Sequence, residues 1–512
     1  MVPPETPSFT YALPPRCLGR LFSFLGTFLT IFRLSIVHFP KIGYAITIYV
    51  IKEQLMLFSS IVFLYLFLPV TLLVYYAVPK AWRNAVLLVA SLVFYFYGEQ
   101  AYTLLLVFSS LSDYAHSLYI ERHRGSRQAK IALISSIAIN LGMLGIFKYL
   151  DFFIGTANNL LGTSIPLTGL PLPIGISFFT FQTMSYTIDV YRGDAHAEAK
   201  LGTLATYVCL FPQLVAGPIV RYTDISAALH SRTVGIADFA AGVRRFAVGL
   251  GKKVLIANLL GELVAAYQSS PQPTVLFAWV SAAAYALQIY YDFSGYSDMA
   301  IGLGRMLGFP FPENFRYPFC SASITQFWRR WHMTMSFWFR DYVYIPLGGN
   351  RCSSKRWIFN VMAVWALTGL WHGAAWNFVA WGIGYGLILL AEKFLLGRLL
   401  DRIGPLRYVY TIFVTLIMFT VFSGVNVMET LGIMFGGAPW CDFTTLYYLK
   451  SYAVILTAAA IGSTPIVKHL AEKVQHHPAM TVLEPLLVAG LLLLSTAYLV
   501  DGSFNPFLYF RF

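Results

Sequence analysis

The sequence contains few charged residues: Asp, Glu, Lys and Arg together make up 12% of its 512 residues. Soluble globular domains usually contain about 25%. Hydrophobic residues make up 57% of the chain, aromatic residues 17%, and the mean hydropathy is +0.64. This composition excludes a soluble globular protein. Several membrane-spanning segments would account for it, because each span requires roughly 20 consecutive apolar residues.

Cysteine is also scarce, and its positions are scattered. The five cysteines are Cys17, Cys209, Cys320, Cys352 and Cys441, and none of them belongs to a CxxC motif. This spacing provides neither a metal-binding motif nor a disulfide framework. We therefore expect ordinary packing roles for the cysteines, no metal site and no bound cofactor.

A compact basic domain is missing as well, although the net charge is +13. Lys and Arg are scattered between apolar segments without interleaved aromatic residues, which excludes nucleic acid as a partner. Their clearest cluster is RHRGSR at 122–127, followed by Lys130. The positive-inside rule predicts that residues 122–130 face the cytoplasm. The smaller cluster at 351–356 is either a second cytoplasmic loop or an ordinary solvated loop.

Apolar stretches of membrane-spanning length recur along the chain, without an internal repeat or a low-complexity linker. They predict one large all-α, polytopic helical membrane protein. Two shorter segments, 172–188 and 334–347, are candidates for re-entrant or interfacial structure. The candidate spans are 58–78, 85–106, 131–153, 201–220, 240–267, 275–303, 357–371, 376–397, 409–425, 451–467 and 483–501.

The N-terminal segment, residues 1–55, differs from the rest of the chain. It begins with a Pro-rich polar stretch, and the apolar stretch that follows is broken by Arg33. It lacks the ordered charged region, apolar run and cleavage site of a signal peptide. Three alternatives remain: a peripheral amphipathic helix, one additional span, or translation that begins at Met56.

His372 lies in a segment made almost entirely of apolar and aromatic residues. It follows Trp371 and precedes Gly373, and Trp376 comes four positions later. An ionisable side chain in such surroundings is costly and is usually functional. A neutral imidazole there could accept a proton from an attacking hydroxyl. The alternative is a histidine that only hydrogen-bonds a neighbouring helix.

A second histidine, His332, follows Arg329, Arg330 and Trp331. The two arginines indicate a membrane boundary. His332 could orient a substrate, polarise a carbonyl or relay a proton. The alternative is an interfacial histidine at the end of a helix.

Two carboxylates, Asp292 and Asp298, lie near the end of a candidate span. Residues six positions apart are not neighbours on a helix face, so this spacing does not predict a paired acid–base site. The intervening FSGYS is not a G-x-S-x-G nucleophile elbow. We expect the two side chains to cap or cross-link helices, or to support a substrate path.

The apolar run LFPQLVAGPIVRY at 210–222 is interrupted by Pro212, Gly217 and Pro218. An interrupted helix frees backbone polar groups, which can line a cavity. The alternative is an ordinary kinked helix end.

Taken together, these segments resemble the membrane-bound O-acyltransferases, in particular the bacterial branch that contains the alginate O-acetyltransferase membrane subunit. The two histidine-containing segments are specific as a pair, and the resemblance covers nearly everything from Met56 onward. The matching pieces are MLFSSIVFLYLFLPV (56–70), LPIGISFFTFQTMSY (172–186), FPQLVAGPIVRY (211–222), YYDFSGYSDMAIGLGRMLGF (290–309), ENFRYPF (313–319), ITQFWRRWHMTMSFWFRDYVYIPLGGNR (324–351), LTGLWHGAAWNFVAWGIGYG (367–386) and NPFLYFRF (505–512).

The resemblance implies a curved bundle of membrane helices around a tunnel, with re-entrant segments. It implies that His372 is the catalytic base and that His332 is a second functional residue. The candidates for lining or supporting the tunnel are Trp331, Trp371, Trp376, Arg329, Arg330, Asp292 and Asp298.

The implied reaction moves an acyl group, expected to be acetyl, across the bacterial inner membrane. The expected donor is acetyl-CoA or another activated acyl thioester on the cytoplasmic side. The expected acceptor is an extracytoplasmic polysaccharide such as alginate, served by a periplasmic SGNH-type acetyltransferase partner. Peptidoglycan, another glycan, or teichoic acid D-alanylation are alternatives. A glycan or lipid transporter without acyl chemistry would predict inverted repeats, which the sequence does not contain.

Two features depart from the family pattern. Family members typically begin near the sequence at Met56, so we expect an N-terminal extension at 1–55 and an acyltransferase domain at 56–512. Residues 421–437 read VFSGVNVMETLGIMFGG where relatives commonly contain an FFRA-like stretch. The second departure bears on partner docking or substrate choice rather than on the chemistry.

Overall fold

The computed structural model describes residues 56–501, and helix is the only regular secondary structure in that range. The prediction of an all-α membrane protein is therefore confirmed. Within that range five helices are long and apolar enough to cross a membrane. A pair bent by 72°, Phe443–Gly462 and Ile466–Val474, would provide a sixth span. The predicted extension at 1–55 lies outside the described residues.

The first part of the described chain forms two long helical segments that fit a membrane span, Lys80–Arg122 and Arg127–Leu161. A π-helical turn, Gly145–Tyr149, interrupts the second segment. A further π-helical turn, Phe63–Phe67, and the 3₁₀ turns Lys80–Trp82 and Gln100–Tyr102 lie earlier in the chain. The helices of this part are α1 (Leu68–Ala77), α2 (Arg83–Glu99), α3 (Thr103–Arg122), α4 (Arg127–Leu144), α5 (Leu150–Leu161) and α6 (Ile176–Arg192).

The middle part combines short helices with one long, buried helix of 33 residues, Val275–Leu307. Pro318–Cys320 forms a 3₁₀ turn, and Lys252–Ala257 and Arg340–Tyr344 are π-helical. The helices are α7 (Leu201–Cys209), α8 (Phe211–Leu214), α9 (Tyr222–His230), α10 (Ile236–Gly251), α11 (Asn258–Gln268), α12 (Val275–Leu307), α13 (Ile324–Trp328), α14 (Met333–Phe339) and α15 (Ser354–His372).

The C-terminal part supplies most of the remaining apolar helices. The π-helical segment Glu392–Leu396 joins the first two of them. The helices are α16 (Trp376–Ala391), α17 (Gly397–Arg402), α18 (Leu406–Ser423), α19 (Val427–Met434), α20 (Phe443–Gly462), α21 (Ile466–Val474) and α22 (Met480–Asp501).

Helices α10 and α12 pack backbone against backbone. A Cβ at Gly249 would lie 2.5 Å from the carbonyl oxygen of Gly295, and a Cβ at Gly242 would lie 2.7 Å from that of Gly302. Small residues allow such close approach, which is the common way for helices to associate within a membrane. The long helix α12 is largely buried and contacts the segment 314–332, which carries one of the candidate histidines, through Ser297 and Phe293.

The candidate span 201–220 is not one helix, and this prediction was wrong. Helix α7 ends at Cys209, Leu210 adopts a non-helical conformation (φ −53°, ψ 110°), and α8 begins at Phe211. Pro212 explains the new start, because its ring fits the first turn of a helix but its missing N–H prevents it from continuing one. The break lies among buried residues and brings 215–220 toward the candidate site.

One end of the helical domain is defined by contacts between its loops. Arg124 donates to the carbonyl oxygens of Val190 (3.2 Å) and Ala195 (3.3 Å). Arg192 donates to the carbonyl oxygen of Asp341 at 3.1 Å. The basic loop 122–126 therefore lies at the same end as residues 190–195 and 341. Its cytoplasmic location stays a prediction.

Candidate active site

The two candidate histidines both lie beside Trp371. The ring centroid of Trp371 is 5.0 Å from that of His372 and 5.8 Å from that of His332. Both histidines are buried, with 6% of His372 and none of His332 exposed. His372 is the last residue of α15, and His332 immediately precedes α14. The fold thus brings together two residues that the sequence places far apart.

His372 is held in a tightly packed aromatic setting at the end of α15. Its ring centroid lies 5.0 Å from that of Trp381 and 5.4 Å from that of Phe422. Helices α15 and α16 can pack this closely because Gly369 lacks a side chain: a Cβ there would lie 2.3 Å from the carbonyl oxygen of Phe378. The small residue Gly369 therefore lets the two helices pack closely next to His372, and the narrow pocket at this histidine stays a prediction.

His332 occupies a backbone conformation that most residues avoid, with φ 43° and ψ 54°. Left-handed conformations of non-glycine residues are uncommon and often occur at functional sites. The turn is held in place by Asn314, because its carbonyl oxygen accepts from the N–H of Met333 at 2.9 Å. The imidazole of His332 is fully buried.

The side chain of Asn314 determines the protonation of His332. Its Oδ1 lies 3.1 Å from Nδ1 of His332 and also accepts from the hydroxyl of Thr334 at 2.9 Å, while its Nδ2 donates to Ser297 at 3.0 Å. This network assigns a proton to Nδ1 of His332, because an amide oxygen can only accept. Nε2 then carries the lone pair, and it has no hydrogen-bond partner among residues 56–501.

The interrupted segment 210–222 contributes to the same site. The backbone N–H of Ile219 donates to the hydroxyl of Thr334 at 3.0 Å. A backbone group that the broken helix leaves without a helical partner is therefore satisfied by a residue two positions from His332. This contact supports a role of the segment in shaping the site rather than that of an ordinary kink.

Lys148 is a site residue that the sequence reasoning missed. Its Nζ donates to the carbonyl oxygen of Trp371 at 2.6 Å and to the hydroxyl of Ser177 at 3.1 Å. The neighbouring Tyr149 donates to the carbonyl oxygen of Leu370 at 2.8 Å. The last carbonyls of a helix have no partner within it, so these donors fix the end of α15 that carries His372. The signal was present in the sequence, because Lys148 is an ionisable residue inside the candidate span 131–153.

A cavity of about 230 Å³ adjoins this end of α15. Lys148, Asp151, Thr168 and Ala374 are among the residues that line it. Helix α4 and the turns that follow rise about 1.5 Å per residue, so Lys148 lies roughly 30 Å along the helix from Arg127. The cavity therefore lies toward the end of the domain opposite the basic loop 122–126.

The other predicted tryptophan and arginine positions differ in how close they come to the histidines. The ring of Trp331 is buried against Phe315 (5.1 Å between centroids) and Phe419 (5.2 Å), next to His332 in the chain. Arg330 donates to the carbonyl oxygen of Cys320 at 2.9 Å. Both residues support the turn that carries His332.

Two of the predicted positions lie at the surface. Arg329 is exposed, and 61% of Trp376 is exposed, with its ring 5.3 Å from that of Phe152. Trp376 is the first residue of α16, and its ring points outward from the helix pair that holds His372. Neither side chain therefore lies beside His332 or His372.

The two predicted carboxylates link helices. Asp292 forms an ion pair with Lys253 at 2.7 Å, and both side chains are buried. Asp298 pairs with Arg245 at 2.8 Å and with Lys252 at 2.6 Å. Because the basic partners belong to α10 and the π-helical turn after it, these pairs cross-link that region to α12. Within residues 56–501 no group of three or more His, Cys, Asp or Glu side chains could hold a metal ion.

Comparison with known proteins identifies the family of the chain. The membrane-bound O-acyltransferase family profile matches residues 17–431. A probable alginate O-acetylase AlgI from Pseudomonas aeruginosa is 43% identical over 377 residues, which is 72% of each chain. A protein of the same name from Pseudomonas putida is 36% identical over 485 residues, 89% of this chain and 100% of that one. The peptidoglycan O-acetyltransferase of Helicobacter pylori is 33% identical over 381 residues, 67% of this chain and 72% of its own.

These matches, together with the buried histidine pair, define a polytopic membrane acyltransferase. The chain belongs to the membrane-bound O-acyltransferase family. The profile match begins at residue 17, inside the segment that we expected to precede the family-like sequence. The division at Met56 stays a prediction.

Proposed function

We propose that this protein is the inner-membrane O-acyltransferase that supplies acetyl groups for the O-acetylation of an extracytoplasmic polysaccharide. The proposed polysaccharide is alginate. The observation that carries the proposal is the buried pair of His332 and His372 around Trp371, in a chain whose relatives are named for alginate O-acetylation. The donor is an acyl thioester such as acetyl-CoA, and the periplasmic acceptor is served by an SGNH-type acetyltransferase partner.

In this proposal His372 is the general base. Its imidazole takes the proton of the attacking hydroxyl, whose oxygen forms a bond to the carbonyl carbon of the donor. The C–S bond then breaks, and the thiolate takes the proton back from His372, so that a thioester and an alcohol become an ester and a thiol. A positioned base typically contributes about 10²–10⁴-fold in rate. The burial of both histidines keeps water from competing with the acceptor.

His332 supports the reaction from a second position. Its Nε2 is assigned the lone pair and lies within the same aromatic enclosure. It can therefore accept a hydrogen bond from a second hydroxyl of the acceptor molecule and hold that molecule while His372 takes the proton of the attacking hydroxyl. In this proposal His332 orients the acceptor and His372 accepts the proton. The two roles fit the different surroundings of the rings, because an amide lies beside His332 and aromatic rings lie beside His372.

The test is complementation of a deletion strain, followed by measurement of ester-linked acetyl on isolated alginate and on peptidoglycan. The wild-type gene should restore acetyl to alginate, and His372→Ala should not. His469→Ala provides the matched control, because His469 is exposed on α21, distant in sequence from the site. Restoration of acetyl to peptidoglycan, or of D-alanine to teichoic acid, without any effect on alginate would contradict the proposed acceptor.

A further inference from the structure

Lys148 lies where the helical pattern is locally altered. The π-helical turn Gly145–Tyr149 separates α4 from α5, and such turns insert an additional residue and frequently occur at functional sites. The turn directs Lys148 toward the end of α15, where its Nζ reaches the carbonyl oxygen of Trp371 at 2.6 Å. A basic side chain is therefore held at the residue that precedes His372.

The ammonium group of Lys148 has hydrogen-bonding capacity beyond these contacts. An ammonium offers three N–H donors. Within residues 56–501 the described acceptors are two, the carbonyl oxygen of Trp371 and the hydroxyl of Ser177. Lys148 also lines the cavity beside Ala374, so a ligand in that cavity can approach it.

The nearest acidic residue of the cavity does not neutralise Lys148. The carboxylate of Asp151 instead accepts from the N–H and hydroxyl of Thr168, both at 2.8 Å, and from the N–H of Gly169 at 3.0 Å. Lys148 forms no ion pair with a carboxylate in the described part of the chain. A cation in a membrane domain without an acidic partner is costly to keep, and such residues usually mark a substrate path.

We propose that Lys148 is a further catalytic residue, which binds the carbonyl oxygen of the acyl group during transfer. This inference rests on the proposed acyl transfer and names the group that stabilises its intermediate. When the hydroxyl oxygen attacks the thioester carbon, the C=O electron pair moves to the oxygen, and the remaining N–H of Lys148 donates to that oxyanion. The C=O bond re-forms as the thiolate leaves with the proton from His372.

The position of Lys148 relative to His372 suits this role. The acceptor hydroxyl must lie between the base and the acyl carbon, and the oxyanion must face a donor that does not itself take part in proton transfer. Lys148 reaches the site from α4–α5, whereas His372 ends α15, so the two groups can contact one acyl group from different sides. Ser177 and the carbonyl of Trp371 hold the ammonium in place before the reaction.

The first test compares Lys148→Met with Lys130→Met in membranes that contain equal amounts of protein. Methionine retains much of the length of lysine but has no charge and no N–H. Removal of one oxyanion donor usually lowers kcat by about 10²–10³, and we expect this loss with little change in the KM for the thioester. Lys130 is exposed beside the basic loop, and its replacement should have no effect.

The second test separates a catalytic cation from a structural one. Lys148→Ala leaves space that a small amine can occupy, so added ethylammonium should restore part of the activity, whereas neutral 1-propanol should not. Lys148→Met fills the space and should not respond to the amine. Wild-type kcat in Lys148→Met, or a loss in Lys148→Ala that no amine restores, would overturn the proposal. Failure of the proposed function is recognised separately, because then the wild-type membranes would transfer no acetyl group.

Discussion

Asn314 fixes the proton of His332, because its Oδ1 lies 3.1 Å from Nδ1 of that ring and is itself held by Thr334 at 2.9 Å. The amide belongs to ENFRYPF, 18 residues before the histidine, and both residues are fully enclosed. The lone pair of His332 is therefore presented to the interior on Nε2. A histidine without this partner could adopt either tautomer and would lose its preferred orientation.

Replacement of Asn314 should consequently slow acyl transfer, although Asn314 acts only through His332 and not through contact with the substrate. Asn314→Ala removes the acceptor for Nδ1–H, and we expect a loss of about tenfold or more, because an unsatisfied buried polar group costs about 1–3 kcal/mol. Asn314→Asp still offers oxygens to Nδ1 and to Thr334, so it should retain more activity than the alanine variant. The measurement is kcat as a function of pH for both variants. Equal activity of Asn314→Ala and wild type would show that His332 needs no positioning.

The close contact between α15 and α16 should depend on Gly369. A methyl group in Gly369→Ala would meet the carbonyl oxygen of Phe378 at 2.3 Å, so the helices must separate. Overpacking of this kind typically costs about 1–3 kcal/mol. We expect a lower unfolding temperature in detergent. We also expect slower acyl transfer, because the separation of the helices displaces His372. The matched control is Gly142→Ala in α4, where a Cβ meets nothing within 4 Å and stability should not fall.

The orientation of the protein in the membrane can be tested with two engineered cysteines in a background without native cysteines. Gln128→Cys, beside the basic loop, should resist an impermeant thiol reagent added to intact spheroplasts. Ser164→Cys, in the exposed segment between α5 and α6, should react. The reverse labelling pattern would place the cavity beside Lys148 on the cytoplasmic side.

The sequence predicts the helical class correctly, and it singles out the two histidines that the structure buries beside Trp371, because both features follow from local composition. A histidine beside tryptophans can be recognised within one short segment of the sequence. A long apolar run, which predicts a helix, can be recognised in the same way. The cross-linking role of Asp292 and Asp298 could be predicted in the same way, since their spacing does not place them on one helix face. What these features share is that their signal lies within a few residues of the position concerned.

The sequence did not predict the contacts that complete the site, because they join distant segments. Lys148 meets the carbonyl of Trp371 across 223 positions, and Asn314 meets His332 through a left-handed turn. The outward direction of Trp376 depends on where α16 begins, which the apolar pattern does not determine. Likewise the run 201–220 has the composition of a span, and only the conformation at Leu210 shows that it is two helices.

Single-turnover transfer from a radiolabelled acetyl thioester in membrane vesicles shows whether His372 accepts the proton of the attacking hydroxyl. His372→Ala should lower the transfer rate by about 10²–10⁴-fold. Binding of the thioester should be retained, and His469→Ala should transfer at the wild-type rate. A transfer rate for His372→Ala within a few fold of wild type, at equal protein in the membrane, would show that His372 is not the general base.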